Sequence, residues 1–374
     1  MYLCRVHHRT YLSYRSVFLG LAVVTLAGCM DGTSSKSTSG PPPLTSVPAP
    51  HGPVATTGGF AYAPNTSDHT ISGYLINSAT GALSPMPGSP FAAGFQPNSI
   101  AVTPNGKFAY TANHSSDNVT AYTIAANGVL TQVTGSPFGA GNQPDIVTVD
   151  PTGKFVYVIN AGSNNISAYA IQSNGSLASV GTVATGAVPL GIAVDPTGKF
   201  VYVVNYDLNS VSAYEIEANG ALTPVPGSPF AAGRGPNAVT VGVGPSAKFV
   251  YAVNIDSSNV TAYEIDAATG ALTTVGTFKS GVGPEGIAVD PTGQFAYVGN
   301  GTSHDLSAYR INADGSLTEV LPRVKAGHDP EGVTVDPTGK FVYAVNHQED
   351  TVSAYTINPV SGALTEVAGS PFAF

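Results

Sequence analysis

Short apolar runs separated by Gly, Pro, Asn and Asp recur along most of the chain. A run such as Phe-Val-Tyr-Val-Val at 200–204 is apolar at every position, whereas a half-exposed strand would alternate apolar and polar residues. The shortness of these runs and their Val, Tyr and Phe content predict β-strands and exclude long helices. Because both faces of each strand are apolar, we expect every sheet to pack between two others.

The strands belong to a repeat of about 46 residues. Each unit carries Phe-x-Tyr-x-x-Asn, then a tyrosine, then Gly-x-Leu, and six units continue into an Ile/Val-x-Val segment. The first motif occurs seven times, starting at Phe60, Phe108, Phe155, Phe200, Phe249, Phe295 and Phe341. Four strand-sized segments in each of seven units predict an all-β fold, a seven-bladed β-propeller with four antiparallel strands per blade.

Ring closure is the irregular part of this prediction. The seventh unit ends near Phe374, so the innermost strand of the first unit should come from residues before Phe60. The segment 54–59 matches the repeat Ile-Ala-Val-Asp-Pro-Thr-Gly poorly. We therefore expect the first blade to be the most irregular.

The N-terminal residues have a different character. A basic stretch ends at Arg15, and an apolar run over 17–27, too short to span a bilayer well, is typical of an export signal. Leu-Ala-Gly-Cys at 26–29 resembles the lipobox of bacterial lipoproteins, which implies lipid attachment at Cys29; the alternative is an ordinary secretory signal. We predict a lipoprotein signal peptide over 1–28, a disordered Ser/Thr/Pro tether over 29–53 and the propeller over 54–374. The protein is then exported and lipid-anchored to the cell envelope, on its periplasmic or cell-surface side.

Net charge and cysteine content exclude some classes of partner and of covalent or metal cross-link. The formal charge is −9, and removal of Arg5, Arg9 and Arg15 with the signal takes it to −9 − 3 = −12. An acidic surface repels nucleic-acid phosphates, so nucleic acid is not an expected partner. The two cysteines are Cys4 and Cys29, and the first leaves with the signal, so no disulfide or cysteine-ligated metal is expected within the mature chain.

The repeat motifs resemble two related groups of propellers. Phe-Val-Tyr-Val-Val-Asn at 200–205, followed by Val-Ser-Ala-Tyr at 211–214, is similar to the YVTN-type repeats of bacterial surface propellers. With Asp-Pro-Thr-Gly-Lys-Phe and Gly-x-Leu, the pattern from Phe60 onward also resembles the lactonase family of seven-bladed propellers, including 6-phosphogluconolactonase-type and carboxymuconate-cyclising enzymes. That resemblance implies opening of a lactone. The family's Gly-Pro-Arg-His element is absent, since the matching places read, for example, Pro-Glu-Gly at 284–286 and 330–332.

Repetition separates structural residues from candidate functional ones. A single central site needs a chemical group once or twice, so a residue type present in every unit serves the blade. The recurring asparagine of the first motif suits left-handed or side-chain-capped turns, and the aspartate of Asp-Pro-Thr-Gly suits a tight turn. We interpret as structural the residues Asn65, Asn113, Asn160, Asn205, Asn254, Asn300, Asn346, Asp150, Asp195, Asp290 and Asp336.

Residues that break the repeat are concentrated in units six and seven. The loop entering the first strand and the loop between strands two and three should open on the same side of the disc, where propeller sites form. We assign candidate catalytic roles to Glu285, Glu331 and His328. Candidate ligand-binding residues are Asp145, His304, Asp305, Asp329, His347 and Glu349; His114 and Asp350 lie in similar loops.

Two functions fit this residue set. The leading hypothesis is a binding propeller that presents its loop face to a carbohydrate, peptide or partner protein. The alternative is a lactonase-like hydrolase in which Glu285 or Glu331 is the general base and a histidine or a divalent metal polarises the carbonyl. Motifs for a serine nucleophile, a phosphate loop or a His-Glu-x-x-His metal site are absent from the sequence.

Overall fold

Seven antiparallel sheets make up the computed structural model, which describes residues 55–57 and 59–373. Each sheet has the four-strand order of a propeller blade, which confirms the predicted seven-bladed β-propeller. The signal peptide and tether predicted for 1–53 lie outside the described residues. Over the described ranges, the model contains no helix long and apolar enough to cross a membrane.

Each blade is built from strands that are consecutive in the chain, and a short 3-10 helix, Gly244–Ser246, lies between β20 and β21. Blades 1 to 3 contain β1 Ala55–Thr57, β2 Phe60–Asn65, β3 Thr70–Ile76, β4 Leu83–Pro85, β5 Phe91–Ala92; β6 Pro97–Val102, β7 Phe108–Asn113, β8 Asn118–Ile124, β9 Leu130–Gln132, β10 Phe138–Gly139; β11 Pro144–Val149, β12 Phe155–Asn160, β13 Asn165–Ile171 and β14 Leu177–Ala184. Blades 4 and 5 contain β15 Pro189–Val194, β16 Phe200–Asn205, β17 Ser210–Ile216, β18 Leu222–Pro224, β19 Phe230–Ala231; β20 Pro236–Val241, β21 Phe249–Asn254, β22 Asn259–Ile265 and β23 Leu272–Lys279. Blades 6 and 7 contain β24 Pro284–Val289, β25 Phe295–Asn300, β26 Asp305–Ile311, β27 Leu317–Lys325; β28 Pro330–Val335, β29 Phe341–Asn346, β30 Thr351–Ile357, β31 Leu364–Glu366 and β32 Phe372–Ala373.

Blade 1 takes its innermost strand from the residues before Phe60, as predicted. Strand β1 has three residues, whereas the innermost strands of the other blades have six. It pairs antiparallel with β2, with Thr57 opposite Phe60. Within the described ranges, the first blade therefore has the shortest innermost strand.

The outermost strand is divided in four blades, a detail that the repeat pattern did not predict. In blades 1, 2, 4 and 7 a short strand such as β4 is followed by a second one, β5, and both pair with the third strand. A Gly-Ser-Pro-Phe sequence precedes or overlaps the second piece in each of these blades. The serine of this sequence takes the place of a backbone acceptor in the outer strand: Ser89 Oγ accepts the backbone N–H of Gly73 at 2.8 Å. The motif interrupts the edge strand without leaving this backbone donor unpaired.

Aromatic side chains join each blade to the next. Phe60 covers Gly128 in the Gly-x-Leu turn of blade 2, where a Cβ would collide with the ring and where φ is +85°. The hydroxyl of Tyr62 donates to the carbonyl oxygen of the same glycine at 2.5 Å. Glycine is required here by both close approach and backbone conformation, which explains why Gly-x-Leu occurs in every unit.

The last blade joins the first through the same contacts. The hydroxyl of Tyr343 donates to the carbonyl oxygen of Gly81 at 2.9 Å, and the ring of Phe341 lies against that glycine. Tyr343 and Val345 belong to one buried cluster with Ala61 and Tyr74 of blade 1. Burial of such apolar surface stabilises the ring by roughly 25 cal/mol per Å².

The repeated asparagines are structural, although their backbone is not left-handed. Asn113 ends strand β7, and its side chain accepts the N–H of Gly94 at 3.1 Å while donating to Asn118 and Thr120 at 2.8 Å. The left-handed residue lies four positions later, where Asp117 has φ 53°. The asparagine therefore joins the entry loop to strands two and three of its own blade.

The aspartates of the Asp-Pro-Thr-Gly turns are also structural. Asp195 Oδ1 accepts the backbone N–H groups of Lys199 and Phe200, both at 2.7 Å. Its other oxygen accepts the N–H of Thr197 at 3.0 Å. The carboxylate thus closes the turn between the first and second strands.

Candidate functional site

One residue in each of blades 2 to 7 is displaced from the regular ladder at the start of the innermost strand. The strand opens with a proline paired to the asparagine that ends strand two, and the register then shifts. Such a bulge redirects a side chain away from the plane of the sheet. The residues after these prolines are Asn98, Asp145, Leu190, Asn237, Glu285 and Glu331.

Five of these six residues are polar, and all five are buried. Asn98, Asp145, Asn237, Glu285 and Glu331 have exposures between 1% and 5%. Asn98 Nδ2 donates to Asp145 Oδ1 at 3.0 Å, across the boundary of blades 2 and 3. A buried polar group of this kind requires a partner, so these residues are constrained by their neighbours in the adjacent blades.

Four polar residues of blades 6 and 7 converge at this end of the ring. Asp329, Glu331 and His347 each present one ligand-type atom, and the three atoms lie within 4.8 Å of one another. Glu285 and Asp329 approach each other over Gly301, where a Cβ would contact both carboxylates. We call Glu285, Asp329, Glu331 and His347 the acidic cluster. The structure thus brings together four of the residues selected from the sequence.

Burial and charge repulsion perturb the first member of the cluster. Desolvation is the main cause that raises the pKa of Glu285 to about 8, and charge repulsion by Asp329 and a hydrogen bond between the two carboxyl groups contribute to the same shift. Its Oε2 atom is buried without a hydrogen-bond partner. Two carboxyl groups are therefore held close together in a place where water is largely excluded.

His347 is the basic member of the acidic cluster. Its Nδ1 lies 3.4 Å from Glu331 Oε1, and the carboxylate is 1% exposed while the imidazole is 29% exposed. Burial lowers the pKa of His347, and the charges of Asp329 and Asp350 act in the opposite direction. Burial also raises the pKa of Asp350. The pair combines a shielded carboxylate with an imidazole that solvent can reach.

Gly301 is a site residue that the sequence reasoning missed. It directly follows Asn300, and the other units carry Thr66, His114, Ala161, Tyr206, Ile255 and His347 at this position. A Cβ at Gly301 would collide with Asp329 Oδ1 and Glu285 Oε1, so a side chain here would displace the two carboxylates. The sequence shows that glycine occurs at this position in one unit, but only the contact with the two carboxylates explains why a side chain is absent there.

His304 and His328, the other two histidines of blades 6 and 7, lie at the edge of the acidic cluster. The rings of His304 and His328 stack, with centroids 4.6 Å apart and planes inclined by 19°. His328 Nε2 is 3.7 Å from Glu349 Oε1, and both side chains are exposed. His328 was selected as a catalytic candidate, and it lies on the solvent side of this region.

Two predicted ligand-binding residues also have contacts that recur around the ring. His304 Nδ1 accepts the backbone N–H of Asp329 at 3.1 Å, as Asn164 Oδ1 accepts that of Val188 at 2.8 Å. Asp305 Oδ1 accepts the side-chain amide of Asn300 at 2.7 Å, a contact that other blades make with Asn or Thr. These two side chains therefore contribute to the blade itself.

Two further residues lie in other blades. His114, in the loop between β7 and β8, follows Asn113 just as His347 follows Asn346. Asp145 lies on β11, where it contacts Asn98. The structure places neither of them with the acidic cluster, which is formed by blades 6 and 7.

A cavity of about 180 Å³ lies at the opposite end of the innermost strands. Its lining includes Val149, Val194, Val241 and Val289, which end four of those strands, together with prolines and threonines. It contains no titratable side chain. The acidic cluster is therefore the better candidate for chemistry.

The fold matches several solved structures. A protein of Bacteroides uniformis whose name proposes a 6-phosphogluconolactonase superposes with a TM-score of 0.72 at 21% identity, covering 83% of this chain and 94% of its own. The periplasmic gluconolactonase PpgL of Pseudomonas aeruginosa gives 0.69 at 20% identity, covering 81% and 93%. At these identities the likeness shows the fold alone. A search of curated proteins gives no match to the chain.

The family comparison is more specific. The family described as lactonase, 7-bladed beta-propeller, matches residues 33–241, 191–284 and 274–372. These segments include both the repeated blade motifs and the residues of the acidic cluster. The chain therefore belongs to the lactonase family of seven-bladed β-propellers.

Proposed function

We propose that the protein is a hydrolase of the cell envelope that opens an uncharged lactone at the acidic cluster. The observation that carries this proposal is the convergence of Glu285, Asp329, Glu331 and His347 at one end of the ring. Membership of the lactonase family supports the reaction class. The export signal and the lipobox-like sequence ending at Cys29 support the location.

The cluster provides groups that ester hydrolysis requires. A carboxylate of Glu285 or Glu331 accepts a proton from water, and the oxygen of that water attacks the lactone carbonyl carbon. The ring C–O bond then breaks, and the ring oxygen takes up a proton to give a hydroxy acid. His347, which is partly exposed, is placed to donate to the carbonyl oxygen or the leaving oxygen.

The charge of the site favours an uncharged substrate. The entry loops 280–284 and 326–330 and the loops 301–304 and 347–350 contain no Lys or Arg. A phosphorylated lactone would meet several carboxylates and no Lys or Arg from these loops, and like charges repel strongly at short range in a partly buried site. The missing Arg-His element agrees with this argument. We therefore place neutral sugar lactones ahead of phosphosugar lactones.

Turnover of a lactone panel by the full chain tests the proposal. Acid release in a pH-stat should exceed the background with a neutral lactone, and Glu331→Gln should lower the rate by about 100-fold or more, since a general base contributes roughly 10²–10⁴-fold. Glu366→Gln removes an exposed carboxylate from β31 of the same blade and serves as the matched control. No turnover with any lactone, with or without divalent metal, would overturn the proposal.

A second candidate function is binding without catalysis. Phe95, Leu208 and Val282 lie in entry loops or in loops between strands two and three, and their exposures are 62%, 54% and 54%. Exposed apolar side chains around a polar site suit recognition of a carbohydrate or a protein surface. Saturable binding of a glycan to the full chain, combined with the absence of lactone turnover, would favour this function.

A further inference from the structure

We infer that Asp329, Glu331 and His347 form a binding site for a first-row divalent transition-metal ion such as Zn²⁺ or Mn²⁺. The three ligand-type atoms already lie within 4.8 Å of one another. Ligands about 2.0–2.2 Å from a zinc ion are roughly 3–4 Å apart. The observed separations, at most 4.8 Å, are close to that spacing.

A second observation points to a cation at the same place. Glu285 is 5% exposed, and its Oε2 atom is buried without a hydrogen-bond partner. Its Oε1 atom faces Asp329 Oδ1 over Gly301, so this carboxyl group borders the proposed ligand set. A buried carboxyl oxygen without a partner is costly, and a bound cation can supply the missing partner.

The ligand types select the class of metal. Calcium and magnesium prefer sites made entirely of oxygen ligands, whereas an imidazole nitrogen beside two carboxylates suits zinc, manganese or iron. With three protein ligands, a coordination position remains for water or substrate, as in catalytic rather than structural sites. His347 is 29% exposed, so this open position can face solvent.

The metal site would also refine the proposed reaction. With Asp329, Glu331 and His347 acting as ligands, Glu285 remains as the carboxylate that accepts the proton of an activated water. Metal binding to the acidic cluster is measured without a lactone. Absence of metal binding is therefore distinguishable from absence of lactone hydrolysis.

Metal titration of the chelator-treated full chain tests the site. Calorimetry with Zn²⁺ and electron paramagnetic resonance with Mn²⁺ should each show one equivalent bound per chain. His347→Ala should weaken binding at least tenfold, and Glu331→Gln should do the same. His114→Ala is the matched control, because His114 occupies the same position of the repeat in blade 2, and its affinity should stay within twofold of the parent chain.

Thermal unfolding provides an independent readout. Metal binding to the folded chain should raise the melting temperature of the parent chain and of His114→Ala, and should raise that of His347→Ala clearly less at the same metal concentration. Comparison of the metal-free melting temperatures checks that His347→Ala is folded; if it is not, Glu331→Gln is compared instead. Absence of binding to the parent chain, or equal affinity in both cluster variants and the parent chain, would overturn the inference.

Discussion

His304 and His328 stack across the boundary of blades 6 and 7, with ring centroids 4.6 Å apart. The same His304 ring accepts the N–H of Asp329 through Nδ1 at 3.1 Å, and its backbone is left-handed with φ 54°. At the matching place in blades 3 and 4, Asn164 and Asn209 make the equivalent hydrogen bond to the next entry loop. The hydrogen bond belongs to the repeat, and a ring contact also recurs at the boundary of blades 1 and 2, where His69 meets Phe95 edge to face with centroids 4.8 Å apart.

Substitution of His304 separates these two roles. His304→Asn should keep the hydrogen bond and tolerate the left-handed backbone, so we expect its urea midpoint to stay near that of the parent chain. His304→Ala loses the acceptor and should cost about 1–2 kcal/mol, judged from the usual worth of one hydrogen bond and the strain of a left-handed alanine. Equal midpoints for the two variants would show that the hydrogen bond contributes nothing.

The raised pKa of Glu285 predicts a pH-dependent stability. Burial raises this pKa from 4.5 to about 8, so folding favours the protonated form. The resulting stability is fully present below pH 4.5, decreases as the pH rises through this window and is lost above about pH 8. Glu285→Gln cannot ionise, so its stability relative to the parent chain should grow between these pH values and then level off.

Urea unfolding of chelator-treated protein at several pH values measures this difference. Metal must be removed because a cation at the acidic cluster would itself favour the ionised carboxylate. A stability difference for Glu285→Gln that does not change between pH 5 and 8 would contradict a raised pKa.

Gly301→Ala should disturb the acidic cluster without a change in its titratable groups. The new methyl group would push against Asp329 Oδ1 and Glu285 Oε1, and overpacking of this kind costs about 1–3 kcal/mol. We expect lactone turnover to fall at least tenfold while the propeller still folds. Gly139→Ala is the control, because a Cβ there meets no atom within 4 Å. Unchanged turnover in Gly301→Ala would argue against a role for the carboxylate pair.

Two equivalent tyrosines should respond differently to loss of the hydroxyl. Tyr202 donates to the carbonyl oxygen of Gly270 at 3.1 Å, whereas the buried hydroxyl of Tyr251 has no hydrogen-bond partner. Tyr202→Phe should therefore cost about 1 kcal/mol of unfolding free energy, and Tyr251→Phe should be neutral or stabilising. Denaturant unfolding of both variants checks this contrast, which would be absent if both hydroxyls were equally satisfied.

The proposed anchor gives a prediction about location. If Cys29 carries lipid, Cys29→Ala should move the protein from the membrane fraction to the soluble fraction of cells that express it. Washing with high salt should leave the parent chain on the membrane, because the attachment is covalent rather than electrostatic. Retention of Cys29→Ala in the membrane fraction would contradict lipid attachment at this residue.

The sequence was sufficient to predict the fold because each blade repeats the same packing requirements. Gly128 and Phe60 recur as a pair in every unit since a ring and a turn must meet at each boundary. Gly-Ser-Pro-Phe marks the divided outer strands, but apolar periodicity does not predict the division because the edge strand is mostly exposed.

The site was harder to predict because its chemistry depends on backbone detail. The sequence placed Glu331 and His347 in neighbouring loops, but the 3.4 Å between them depends on a bulge and a loop conformation. His304 and Asp305 differ from the residues of other blades in type but not in hydrogen-bonding role. His304 and Asp305 accept hydrogen bonds that Asn or Thr side chains accept in other blades, whereas Glu285 has no such equivalent role.

The bulge that follows the first proline of the innermost strand in blades 2 to 7 has an evolutionary consequence. It delivers one side chain from each of these six blades at a repeated position, and the residues found there range from Leu190 to Glu331 while the proline and the paired asparagine stay the same. Substitution at such a position can change the chemistry of the ring without altering the blade that carries it. A scaffold of this kind can acquire a new specificity by single exchanges, one blade at a time.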